Sequence, residues 1–176
     1  MEKIKDINIA RVADVVDALI EKKTEIISAT EETLALTNED SGKTIVLARA
    51  AGIAITLPAF PEIGVNFKFV VKTGATTGSY IITASELTDN YILFKGGVSL
   101  VDSDSGDTHT YPIGDGNDNS IELNGTTQGG LIGSWLKAEY LAEGCWFLSG
   151  AVRGSGTVAT PLEVNYTTTV APTTTS

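Results

Sequence analysis

Ten short segments of this chain alternate apolar and polar side chains, and clusters of turn-forming residues separate them. They are Thr33–Leu36, Thr44–Arg49, Ile53–Leu57, Phe67–Lys72, Ser79–Thr83, Tyr91–Phe94, Val98–Val101, Ser120–Leu123, Ser134–Leu141 and Cys145–Val152. A side-chain period of two marks a strand with one buried and one solvated face. Val, Ile, Thr, Tyr and Phe dominate these segments, as a pleated half-buried surface requires. Between them stand Asp40-Ser41-Gly42-Lys43, Ala51-Gly52, Thr73-Gly74-Ala75, Gly96-Gly97 and Glu143-Gly144, which read as turns, that at Lys43 and the last as hairpins. The expected fold is therefore mainly β: an antiparallel β-sandwich or barrel of jelly-roll type.

The two ends break the pattern. Near the start, Ile9, Val12, Val15, Val16, Leu19 and Ile20 recur at three- and four-residue spacing, which predicts an amphipathic helix with one apolar stripe. Asp6 or Asn8 can cap it, and Lys22-Lys23 suit the negative end of its dipole. From Thr157 onward the chain is mostly Thr, Pro, Val and Ala, a composition that favours extended backbone and builds no core. The expected organisation is a helical arm over 1–28, a β-domain over 29–156 and an extended tail over 157–176. On that division, removing residues 161–176 leaves the β-domain folded. The residues expected at interfaces with other polypeptides are Ile9, Val12, Val16 and Leu19 in the arm, with Pro161, Leu162, Val164, Tyr166, Val170 and Pro172 in the tail.

Charge excludes two classes of partner. Asp and Glu total 22 against 12 Lys and Arg, a formal net charge of −10. Such a chain repels phosphate backbones and anionic lipid, so neither nucleic acid nor membrane is an expected partner. No basic cluster beyond Lys22-Lys23 is visible along the chain. No apolar run approaches the ~18 residues of a membrane span. Met1 to Asp6 open no secretory signal core, so synthesis in a cytoplasm is expected. Cys145 is the only cysteine, which rules out an intrachain disulfide. With Trp146 and Phe147 beside it, burial is its simplest role.

Sites of chemistry are sparse. Gly42-Lys43-Thr44 ends like a phosphate-binding loop, but Thr37 stands where that loop needs glycine, and a strand follows instead of a helix. Between Asp102 and Asn119 runs one long polar insertion, in which Asp102, Asp104 and Asp107 are the metal-ligand candidates and Asp115, Asn117, Asp118 and Asn119 add oxygen donors of the kind calcium favours. An EF-hand would need glycine at Asp107 and a bidentate glutamate at Ile113, so a solvated acidic loop is the simpler expectation. His109 is the only histidine. A triad of Ser103, His109 and an aspartate has no nucleophile elbow behind it, and nothing brings Cys145 to His109. Trp135 and Trp146 lie in the last pair of strands, where core packing accounts for them. Asn124-Gly125-Thr126 and Asn165-Tyr166-Thr167 match the glycosylation pattern without a secretion signal to give it meaning. No enzyme activity and no cofactor is expected.

Three stretches carry a resemblance. They are Asp40–Thr44 with Ala51–Pro58, then Gly64–Gly74, then Trp135–Tyr140 with Gly144–Gly150. Together they resemble the small β-rich virion proteins of tailed bacteriophages, found as capsid decoration (cement) proteins and as tail-fibre domains. The resemblance spans about residues 33–160, and the Thr- and Pro-rich tail is similar to endings of phage structural proteins. It implies a viral structural protein bound as a homotrimer to the outer capsid surface of the virion. There it would bridge major capsid proteins and provide capsid stabilisation. The alternative is a tail-fibre or spike domain that recognises the host surface.

Overall fold

The computed structural model describes residues 26–87, 90–91, 93–104, 109–114 and 117–163. In chain order the strands are β1 (Ile26–Ala29), β2 (Thr33–Ala35), β3 (Thr44–Leu47), β4 (Ile53–Thr56), β5 (Asn66–Val71), β6 (Tyr80–Thr83), β7 (Glu86–Leu87), β8 (Asn90–Tyr91), β9 (Leu93–Gly96), β10 (Ser99–Asp102), β11 (His109–Thr110), β12 (Ser120–Leu123), β13 (Trp135–Ala142), β14 (Cys145–Gly154) and β15 (Leu162–Glu163). Mainly β is the outcome, and nine of the ten sequence-derived segments each fall on one strand; Tyr91–Phe94 takes in the end of β8 and the start of β9, with residue 92 outside the described residues. The helix expected over the arm, with Ile9, Val12, Val16 and Leu19, lies outside the described residues. The arm's assigned end at 28 shifts, because Ile26–Ala29 is already a strand of the domain.

Two large sheets form. One is ordered β1-β3-β5-β13-β14-β10-β11, with β9 also against β14; the other is β15-β12-β6-β4-β2. Neither closes into a barrel, and the pairing is mixed rather than antiparallel. From β1 to β6 the chain alternates between the sheets, so β1, β3 and β5 run parallel in one while β2, β4 and β6 run parallel in the other. This is a β-coil of successive turns, not a jelly roll. The turn at 40–43, expected as a hairpin, and the turn at 51–52 are corners that carry the chain from one sheet to the other. The turns are uneven: Ile26 sits beside Thr44 after 18 residues, and Thr44 beside Lys68 after 24. That unevenness hides the repeat from the sequence.

The corners stack. Ile53 donates its N–H to Ser79 O at 3.1 Å, and a Cβ on Gly52 or Gly78 would collide with the backbone of the other corner. Gly52 also has a φ of +81°, a conformation that L side chains avoid. Tyr80 pins the same region from inside, its hydroxyl 2.8 Å from Arg49 O and beside Thr73 O. Burial raises the pKa of that phenol, against the lowering effect of the bond to Arg49. At a neighbouring corner, Asp40 accepts from the Thr37 N–H at 2.9 Å and from the Thr37 hydroxyl at 3.0 Å. Its other oxygen receives Lys43 Nζ at 2.9 Å. Burial pushes the Asp40 carboxyl up, but the bonds from Lys43 and Thr37 outweigh it and hold the group below its ordinary range.

After the coil the pairing changes. Antiparallel β13 lies on β5, and β14 returns from it through Glu143-Gly144, a true hairpin. In the other sheet, β12 pairs antiparallel with β6 and β15 with β12. One core fills the space between the sheets, built from inward positions such as Phe67, Phe69, Ile55, Ile82, Leu123 and Leu136. Trp146 is fully buried among them, its ring centroid 5.8 Å from Phe67 and 5.3 Å from Tyr140.

Candidate interaction surfaces

Residues singled out for chemistry are mostly used by the fold itself. Asp102 ends β10 facing inward, 4% exposed, and its Oδ1 accepts the N–H of Asp104 at 3.1 Å. Asp104 in turn accepts the N–H of Gly156 at 3.1 and 3.2 Å. Asp107 lies outside the described residues. Among the described residues, no three His, Cys, Asp or Glu side chains gather as a metal site. The polar insertion is thus partly structural: Asp118 and Asn119 are buried, and His109–Thr110 adds a strand to β10.

His109 Nε2 lies 2.6 Å from Ser99 Oγ, not from Ser103, whose hydroxyl donates to Gly154 O at 2.8 Å. Among the described residues no carboxylate hydrogen-bonds His109. Cys145 is buried at the start of β14, whereas His109 is level with Arg153 through Val101. Eight strand residues separate those levels, roughly 26 Å. A Cys–His pair is excluded by that spacing. The Asn124 side chain is also committed, donating to Thr127 Oγ1 and Gln128 Oε1 and accepting the N–H of Thr126 and Gln128.

The tail divides. Pro161 and Leu162, expected at an interface, are buried against the chain's own sheet, with Leu162 beside Ile121 and Glu163 beside Ser120. Gln128 Nε2 secures this segment by donating to Thr160 O and Glu163 Oε1. The domain therefore runs to Glu163 rather than 156. Val164, Tyr166, Val170 and Pro172 lie outside the described residues.

What the sequence analysis missed is the outer face of the larger sheet. Strand alternation that turns Phe67, Phe69 and Val71 inward turns Lys68 and Val70 outward. By the same alternation β13 presents Trp135, Lys137 and Glu139, and β14 presents Phe147, Ser149, Ala151 and Arg153. Register aligns these side chains in rows. One row is Val46, Val70, Trp135, Ala151 and Ser99; the next is Thr44, Lys68, Lys137 and Ser149. Trp135, assigned to the core from sequence, is 40% exposed here, with Lys68 Nζ 5.6 Å from its ring centroid. The opposite outer face presents Thr33, Ala35, Ala54, Thr56, Ile81, Thr83, Glu122 and Glu163, which are small or acidic apart from Ile81 and include no cation. The two faces differ in sign. The signal was present in the alternation, but the cations come from separate strands and form no cluster along the chain.

No family model, curated protein or solved structure matches this chain. Among the described residues, no helix is long and apolar enough to cross a membrane.

Proposed function

We propose that this protein is a capsid decoration protein of a tailed bacteriophage. It binds the outer capsid surface as a homotrimer, bridges neighbouring major capsid proteins and stabilises the head. One observation carries this reading: the first and the last described strands, β1 and β15, are each the outermost strand of a sheet. Residues 1–25 lead into β1, the edge of the larger sheet, and residues 164–176 follow β15, the edge of the smaller one. Edge strands carry unpaired backbone groups, so each segment starts where strand addition to a neighbour is available. A β-body with an open edge on each of its two large sheets suits bridging between copies. It has no comparable use in an isolated catalyst, and among the described residues the groups of chemical interest are committed to internal bonds.

The test is to count copies on purified virions and to heat particles with and without the protein. Many copies in the head fraction, with heads that release DNA at lower temperature on its removal, is the expected result. Its absence from heads overturns the proposal. The half-exposed Trp135 beside Lys68 favours one second reading, a fibre or spike domain that stacks on a host sugar. Hits on a glycan array together with a tail location would select it.

A further inference from the structure

The outer face of the larger sheet concentrates cations in a chain that has few. Lys68, Lys95, Lys137 and Arg153 point outward from four different strands, β5, β9, β13 and β14. Lys68 and Lys137 stand directly opposite each other in register. Like charges at directly opposed positions destabilise a sheet, although acids outnumber bases by 22 to 12 in this chain. Lys137 is relieved by Glu139, at 2.6 Å. Among the described residues, no carboxylate lies within ion-pair distance of Lys68, Lys95 or Arg153. Beside these cations runs the half-buried row of Val70, Trp135 and Ala151.

We propose that this face docks an acidic polypeptide, one whose surface carries aromatic or apolar side chains among carboxylates. An apolar strip containing Trp and bordered by Lys and Arg has the composition of a protein interface, with a large anchor and a charged rim. Nucleic acid fits less well, because the net charge of −10 repels it and the apolar row would gain nothing from phosphates. The inference deepens the assembly reading and rests on it for the partner being a protein. Carboxylates supplied by that partner would also relieve the Lys68–Lys137 opposition.

The test uses the full-length protein and immobilised random poly(Glu,Tyr) copolymer at low salt. Poly(Glu) alone, heparin and oligo-dT serve as comparisons. The wild type binds the copolymer most tightly and loses affinity as salt rises. Lys68→Glu with Arg153→Glu weakens binding by about tenfold or more. Trp135→Ala weakens binding to the copolymer but leaves poly(Glu) binding unchanged. Lys68→Glu alone raises the melting temperature while lowering affinity, a pattern that general damage to the fold does not produce. Tighter binding to heparin or oligo-dT, wild-type affinity in the charge variants, or no binding at all overturns the proposal. The titration needs no particle, so its failure is distinct from a failure to find the protein on heads.

Discussion

The coil of β1 to β6 and the sheet elements that follow it use the same strand chemistry but are held together differently. In the coil, neighbouring strands are joined by way of the opposite sheet, so each turn depends on corners that meet backbone to backbone at Gly52 and Gly78. In the β13–β14 hairpin, neighbours are adjacent in sequence and a Cβ at Gly144 would meet no other atom. Local pairing tolerates a poor turn because the strands still find each other. A coil cannot, because one blocked corner displaces every strand stacked on it.

The sharpest way to break this comparison is to place the same side chain in both kinds of turn. Gly52→Ala combines a left-handed backbone with a collision and should cost about 3 kcal/mol or more. Gly144→Ala, with φ of +75° but no neighbour within 4 Å, should cost about 1–2 kcal/mol. Urea unfolding of the two variants reads the difference, and equal losses would remove the distinction between corner and hairpin.

Truncation extends the comparison to the smaller sheet. A chain ending at residue 160 loses Leu162, which is 5% exposed, and should lose about 2 kcal/mol. A chain ending at residue 163 should unfold at the wild-type midpoint. If both behave as wild type, β15 adds nothing to the body and the sequence-based tail boundary stands.

Two smaller effects probe the corners. Tyr80→Phe removes the only proton available to Arg49 O and Thr73 O from that side chain and should cost about 1–2 kcal/mol. Because the Tyr80 pKa is raised, its stabilising effect is fully present below the unfolded tyrosine value. It declines as pH rises through the folded one. Asp40→Asn weakens the corner before β3 by about 1 kcal/mol at neutral pH. The Asp40 pKa is lowered, so this contribution is present above the ordinary carboxylate range and is lost as pH falls through the folded value. Denaturation curves for wild type and variant should therefore converge in acid; a gap that persists there would assign the effect to shape rather than charge.

The alternation located nearly every long strand and the burial of Trp146, because a single strand's pleat decides which side chains share a face; the burial of Cys145 followed instead from its apolar neighbours. It did not reveal β15, since Leu162-Glu163 is too short to alternate and is a strand only because β12 offers it an edge. Nor did it reveal that the Asp102 carboxylate is buried, with Oδ1 accepting the N–H of Asp104. Trp135 and Trp146 looked alike in sequence, yet strand parity sends one outward and the other into the core. Strand positions were thus legible from the residues themselves, being local consequences of backbone geometry. Parallel or antiparallel pairing, the stacked corners and the gathering of cations on one face were decided by the tertiary structure. They depend on which strands become neighbours, and that is chosen by long-range packing rather than by any one segment.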